Sequence, residues 1–448
     1  MTRCHVRQQR RSNDPLFLLR IQSDPKKTTL ELISDHLEAL LRNELKQYYK
    51  FTWSKKYHRP EYAVFWDWAS LHQHPDPHSQ VYRTQEEQNL FNMGLESLAS
   101  FYSHPHVHCL QVTKFPLNYP HGYKLPAGAN LAEYDQRGWP FIESRLMRIQ
   151  KQASIHDISQ PQNTQLQKKR PPLIPERIDK LIEQMTFTNA KDDRPLTSKL
   201  YQNEIQRLFE ERETIRYYAL GNDGIANLCE LIEYGYVPKM TELNLRANNF
   251  DWQGYQALAN ALTSQKSEMS LTHLDLGDNE QIEDDAIMAL ASALVRIPKV
   301  NLRKCKVGFR GCQAIAAAFQ KAQEQKTAIL LSELYLIANT TIDSQTITVL
   351  AHWLVRYLEL LDMDFCRVGD AGCRAFADAA IAFTGERMAL RELRLRKNEI
   401  TRDGVSHLMQ FLEASPNVEI IKADEEFADE LHSSHPLKAS PRIMWGYW

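Results

Sequence analysis

Leu243-Asn244-Leu245-Arg246-Ala247-Asn248 decides the fold, because the same phrase returns five more times along the second half of the chain. It recurs as Leu274-Asp275-Leu276-Gly277-Asp278-Asn279 and as Val300-Asn301-Leu302-Arg303-Lys304-Cys305. Leu334-Tyr335-Leu336-Ile337-Ala338-Asn339, Leu361-Asp362-Met363-Asp364-Phe365-Cys366 and Leu393-Arg394-Leu395-Arg396-Lys397-Asn398 follow, with a degraded copy at Ile421-Lys422-Ala423. The mean spacing is about 30 residues, which suits one strand and one helix per repeat. Helical stretches such as 257–262 and 289–294 sit behind the strands. Apolar residues two apart share one face of a strand, so both point into a core that no single repeat could bury alone. The asparagine stands where the chain leaves the strand, and its amide is placed to satisfy backbone groups that the turn would leave unpaired.

Cys305 and Cys366 take the asparagine position in two repeats, and the segments behind them match, CKVGFRGCQAIA against CRVGDAGCRAFA. Short steps into the cysteine repeats alternate with long steps out of them. This alternation, with a Gly-Cys pair behind the ladder cysteine, resembles the ribonuclease-inhibitor class of leucine-rich repeats over 215–424. The resemblance implies an α/β horseshoe with a parallel sheet on its concave side.

The chain has 448 residues, more than one core usually takes. Hydrophobic residues make up 43% and charged residues 25%, which excludes a mostly disordered chain. Lys plus Arg (54) nearly balances Asp plus Glu (56), so binding to nucleic acid through bulk charge is not expected. The longest apolar runs, such as Leu16-Phe17-Leu18-Leu19, fall far short of a membrane span. No secretory signal is read at 1–11, and seven dispersed cysteines suit free thiols in the cytoplasm.

Composition divides the chain into a disordered N-terminus (1–15), an α/β domain (16–150), a polar linker (151–175), a helical connector or repeat cap (176–214), the repeat domain (215–424) and a C-terminal tail or cap (425–448). In the α/β domain, 16–21, 62–66 and 106–112 read as strands. Helical patterns run over 30–45, from the capping box of Thr84 and Glu87, and from Gly138-Trp139-Pro140. Alternation of strand and helix predicts a parallel sheet with helices on both faces. The segment 171–211 reads as one or two helices with a turn at 192–195.

Tyr134, Arg137, Trp139 and Glu143 occupy the start of the last helix of that domain. Their spacing, with Val64-Phe65-Trp66-Asp67 upstream, resembles TIR domains and the related fungal incompatibility domains. Pro140 replaces the cysteine of that family's motif. The resemblance implies a flavodoxin-like sheet, a catalytic role for Glu143 with Trp139 in support, NAD as substrate with no cofactor required, and self-association into homo-oligomers. It also implies a signalling role like that of cytoplasmic immune receptors. Cleaving the nicotinamide–ribose bond builds positive charge on the sugar, which a nearby carboxylate would stabilise.

Phosphate-loop, H-E-x-x-H, G-x-S-x-G and C-x-x-C motifs are absent. Histidines 72, 74 and 78, and 104, 106 and 108, form two groups, of which the second could share one strand face. A polar strand face accounts for them as well, and no metal site is assigned. In the repeats, the residues between and after the leucines face the concave side. Arg246, Arg303, Tyr335, Ile337, Asp364 and Arg396 are therefore the candidate contacts for a protein partner, with Tyr335 and Ile337 as an apolar pair among charges. Alternatives are a non-catalytic scaffold and a regulator resembling the GTPase-activating proteins that use a similar repeat class.

Overall fold

The computed structural model describes residues 82–114, 132–150, 155–157, 159, 170–248, 250–264, 270–383 and 388–424, with short pieces at 16–19, 35–39, 42, 63–66 and 443–445. The expected disordered N-terminus and histidines 72, 74 and 78 lie outside the described residues. The chain divides into two compact units, Met1–Arg207 and Leu208–Trp448.

The first unit is built on a parallel sheet. Strands β1 (Leu16–Leu19), β2 (Ala63–Trp66), β3 (Val107–Gln111) and β4 (Ile155–Asp157) lie in the order β2-β1-β3-β4. Helix α1 (Gln85–Ser103) starts at the expected capping box: Thr84 Oγ1 accepts from the Glu87 N–H at 3.2 Å, and Glu87 Oε2 accepts from the Thr84 N–H at 2.9 Å. Its buried face is formed by Leu98, Ala99 and Tyr102. Helix α2 (Gly138–Gln150) buries Phe141, Ile142, Leu146 and Ile149. Pro140 is its third residue, within the turn whose N–H groups have no intrahelical partner. A side chain on Gly138 would collide with the Phe187 ring, its Cβ falling 1.9 Å from Cζ.

Strand β4 lies inside the stretch read as linker. Its three residues are half-buried and include His156 and Asp157, so no run of apolar residues announces it. The pair of helices after it also differs from expectation. Helix α3 (Pro175–Ile182) and helix α4 (Ala190–Phe209) are separated by 183–189, and 192–195 falls inside α4. Pro195 is tolerated there because it sits near the helix start and removes one backbone bond only. Glu204 of α4, buried, accepts hydrogen bonds from Ser103 and Ser100 of α1 and is paired with Arg207 at 2.6 Å.

The second unit is a nine-stranded parallel sheet in sequential order, with a helix after each strand from the first to the seventh. Strands β5 (Thr214–Arg216), β6 (Glu242–Asn244), β7 (His273–Asp275), β8 (Lys299–Asn301) and β9 (Glu333–Tyr335) are followed by β10 (Leu360–Asp362), β11 (Glu392–Arg394), β12 (Ile420–Ala423) and β13 (Ile443–Trp445). The connecting helices are α5 (Gly221–Glu233), α6 (Trp252–Thr263), α7 (Asp284–Leu294), α8 (Phe309–Glu324), α9 (Ser344–Tyr357), α10 (Gly369–Ala382) and α11 (Arg402–Ala414). Register is one-to-one: Leu243 pairs with Leu274, Leu274 with Val300, Val300 with Leu334, Leu334 with Leu361 and Leu361 with Leu393. All of these, and the second apolar residue of each phrase, are essentially inaccessible. Residue pairs at each helix start explain the Gly-Cys signature. Cys312 and Cys373 are wholly buried, and a Cβ on Gly311 would lie 2.8 Å from Asp284 Oδ1 and 3.1 Å from Ile287 Cβ. Glycine there lets one helix close on the preceding one.

The ladder residues behave as their chemistry requires. Asn279, buried, donates from Nδ2 to Leu276 O (2.7 Å) and to Leu245 O of the preceding repeat (2.9 Å), while its Oδ1 accepts the Asn248 N–H at 2.6 Å. Asn248, Asn339 and Asn398 use both ends of their amides similarly. Cys366 donates its S–H to Leu336 O at 3.2 Å in the same place. The residue just before each ladder position has left-handed backbone (Ala247, Asp278, Lys304, Ala338, Phe365, Lys397), and so does Ala219 before Leu220. Ile215 and Tyr217 take the two core positions there, so the array opens with a copy in which leucine replaces the ladder asparagine.

A candidate protein-binding face on the strand side of the repeats

Side chains alternate across a strand, so the residues flanking the core leucines form rows on the helix-free face of the sheet. One row runs Asn244, Asp275, Asn301, Tyr335, Asp362, Arg394. Two residues further on lie Arg246, Gly277, Arg303, Ile337, Asp364 and Arg396. Two residues earlier lie Glu242, His273, Lys299, Glu333, Leu360 and Glu392.

Neighbouring repeats neutralise one another across these rows. Arg394 binds Asp362 at 2.9 Å and Glu392 at 2.8 Å, and Lys422 reaches the same Glu392 at 2.8 Å. Arg396 pairs with Asp364 at 2.6 Å, Lys299 with Glu333 at 2.9 Å, and Arg246 with Asp278. Burial and the neighbouring Asp364 carboxylate push the Asp362 carboxyl up, opposed by its hydrogen bond from Arg394. Burial would push the Glu392 carboxyl up as well, but its bonds from Arg394 and Lys422 prevail and hold it below the usual range.

Of the six expected contacts, Arg246 is exposed, and Arg303, Tyr335, Ile337 and Arg396 are half-buried. Asp364 differs: it is 3% exposed, covered in its pairing with Arg396, so its carboxylate is already engaged. Tyr335 stands between Asn301 and Asp362. Its hydroxyl donates to Glu333 at 2.8 Å and the Lys299 ammonium lies 5.1 Å from its ring centre, so the ring is held rather than loose. The six candidates are thus neighbours on one face, although only Arg246 is exposed. Sequence reading missed Glu333, Glu392, Lys299 and Lys422, which brace the face. Their signal was partly present: Glu333 stands two residues before Tyr335, and Lys299 and Glu392 four before Arg303 and Arg396, on the same side of their strands, whereas Lys422 joins the face only through its register with Arg394.

In the first unit, Trp139 and Glu143 are one helical turn apart on α2. Trp139 is half-buried and Glu143 is 3% exposed. Arg137 precedes the helix and donates from Nε to Ala132 O at 2.7 Å, and Tyr134 takes a hydrogen bond from Gln111 of β3 at 3.3 Å. The histidines at 104, 106 and 108 do not line one strand face: His104 caps α1 and β3 begins only at Val107. His108 instead stacks on His156 of β4, with His36 against the other ring (centres 5.6 Å and 5.3 Å). Burial first, then the charges of His108 and His36, lower His156 to about 4.

Six cysteines are buried as thiols. Burial pushes Cys229, Cys305, Cys366 and Cys373 up to about 12. Among the described residues no helix is long and apolar enough to cross a membrane.

No curated protein matches the chain. Among solved structures the chain is similar to one described as "Crystal structure of Rad7 and Elc1 complex in yeast", at 13% identity, with 60% of this chain and 79% of that chain covered and a TM-score of 0.29. A family model described as "Leucine Rich repeat" matches residues 268–291 and 356–377. These two stretches span β7 with the start of α7, and β10 with the start of α10. Two repeats of the array therefore match the leucine-rich repeat model.

Proposed function

We propose that the protein is a recognition protein whose repeat array binds a protein partner through its strand face. The observation that carries this reading is the face itself. Polar and charged rows are fixed by ion pairs between repeats, and the half-buried Tyr335 and Ile337 lie among them. A rigid aromatic beside an aliphatic residue, ringed by charge, suits a protein hot spot better than a phosphate-tracking groove. The first unit then serves as a signalling or self-association domain, and the buried thiols suit a cytoplasmic setting. The test is affinity capture with the full chain, followed by titration of the captured partner. Tyr335→Ala should weaken binding by about 2 kcal/mol or more. Unchanged affinity in both Tyr335→Ala and Ile337→Ala would move the site off this face.

A second reading gives the first unit NAD-cleaving activity through Glu143. The parallel order β2-β1-β3-β4, which has the doubly wound pattern, and the placement of Trp139 and Glu143 at the start of one helix support it. The burial of Glu143 favours the non-catalytic alternative, because a carboxylate that stabilises a sugar cation must reach it. Incubation with NAD separates them: nicotinamide release by the native chain and its loss in Glu143→Gln would select the enzyme.

A further inference from the structure

We propose that the strand face recognises an acidic side chain of its partner through Arg303, an inference that rests on the protein-binding reading above. The observation is an imbalance in the middle of an otherwise neutralised surface. Arg246, Lys299, Arg394, Arg396 and Lys422 each have a carboxylate partner on the same or an adjacent repeat. Arg303 has none among the described residues, and its Nε, shielded from solvent, donates no hydrogen bond. A shielded guanidinium edge without an acceptor is costly, and a carboxylate taken up in fork geometry would satisfy it.

The neighbouring positions leave room for such a group. On one side of Arg303 the row holds Gly277, which contributes no side chain. The atoms nearest to a Cβ there would be Asp275 Oδ1 (3.1 Å), Arg303 O and Asn301 Nδ2 (both 3.5 Å). Asn301 orients the Arg303 backbone, accepting its N–H at 2.9 Å, and leaves its own amide N–H groups toward the same notch. Asp275, which borders the same notch, is already engaged. Its Oδ1 takes the Gly277 N–H at 2.9 Å and its Oδ2 the Asn244 amide at 3.3 Å. On the other side stands Ile337, followed by Asp364, whose charge is taken by Arg396. The notch thus offers a guanidinium and an amide beside an aliphatic wall. That chemistry fits Asp or Glu next to an apolar residue in an extended partner segment. It does not fit a polyanion, since the flanking carboxylates of Asp275, Glu333, Asp362 and Asp364 would repel a run of negative charge.

The experiment uses the full chain to select from a displayed library of short random peptides, and the selected peptides are then titrated by fluorescence anisotropy. Enrichment of Asp or Glu beside an aliphatic or aromatic residue is expected. Affinity should fall at least about tenfold in Arg303→Gln and in Gly277→Leu, which fills the notch, and less in Arg303→Lys, which keeps charge but loses the fork. Circular dichroism and the unfolding midpoint confirm that each variant is folded. Peptides without acidic enrichment, or affinity unchanged in Arg303→Gln while Tyr335→Ala abolishes binding, would overturn the acid recognition and leave the strand-face reading standing. Peptides insensitive to every strand-face substitution, or a library that yields no binder, would overturn both.

Discussion

Replacing Asn279 with alanine tests the ladder at its most connected rung. The side chain is buried and serves one backbone N–H and three carbonyls, of which Gly277 O, reached at 3.4 Å, also keeps the Ala247 N–H at 3.1 Å. Leu245 O keeps a second donor, the Asn248 amide at 2.7 Å, and Leu276 O keeps a weak one, the Cys305 thiol at 3.5 Å. The Asn248 N–H, which now reaches Oδ1 at 2.6 Å, loses its acceptor outright. One orphaned buried donor costs about 1–3 kcal/mol and two weakened acceptors roughly 0.5 kcal/mol each, giving about 2–4 kcal/mol. Asn279→Cys should cost less, because Cys305 and Cys366 already fill this place with a thiol that donates to the preceding repeat. Urea unfolding followed by circular dichroism measures it. With a slope of roughly 3 kcal/mol per molar urea the midpoint falls by about 1 M for alanine. The exposed neighbour Glu280→Ala should move it by less than about 0.2 M, as surface substitutions do. An alanine variant indistinguishable from Glu280→Ala would refute the view that these amides hold the repeats together.

Arg394→Met removes the cation from Asp362 and Glu392 and should cost about 2 kcal/mol at pH 7, less than for a fully buried pair because Arg394 is partly exposed. Asp362 already titrates above its ordinary value, so its penalty is absent below the unfolded pKa and grows as pH rises through the folded one. The deficit should therefore shrink toward pH 4 and be relieved by adding Asp362→Asn, and a pH-independent deficit in urea melts would contradict this. His156, lowered to about 4, stays neutral in the fold, so its contribution is present above the unfolded value of 6.5 and lost as pH falls through about 4. Proton-coupled loss of stability over that interval should disappear in His156→Phe, as read by NMR titration and melting. Thiol reagents at neutral pH should leave the six buried cysteines unmodified until denaturant is added; fast reaction of Cys312 or Cys373 would mean that the helix layer is open.

What could be read from the sequence is what burial dictates locally. Leu243 and Leu245 announce a strand because both must enter the core, and Asn248 announces the turn because few side chains can serve its backbone. The Thr84–Glu87 cap was legible for the same reason: its partners lie three residues apart. Strand β4 was not, because Ile155-His156-Asp157 is short, half-buried and defined by a partner strand some 45 residues earlier. Asp192 to Pro195 reads as a turn, yet in the first turns of a helix Asp suits the macrodipole and Pro195 costs a single backbone bond. The candidate face was legible as positions but not as pairs. Arg394 meets Asp362 and Arg396 meets Asp364 across 32 residues, so only the register shows which charges are spent. Arg303 stands out only after those pairs are known.

The sequential strand order has a consequence for how the chain is made. Each repeat touches its neighbours in the sequence, so no contact in the array waits for a distant segment, and growth can follow synthesis one unit at a time. The exception is β13, which pairs with β12 after a long excursion. Until residues 443–445 have been translated, the edge of β12 offers unsatisfied amides and carbonyls to any passing strand.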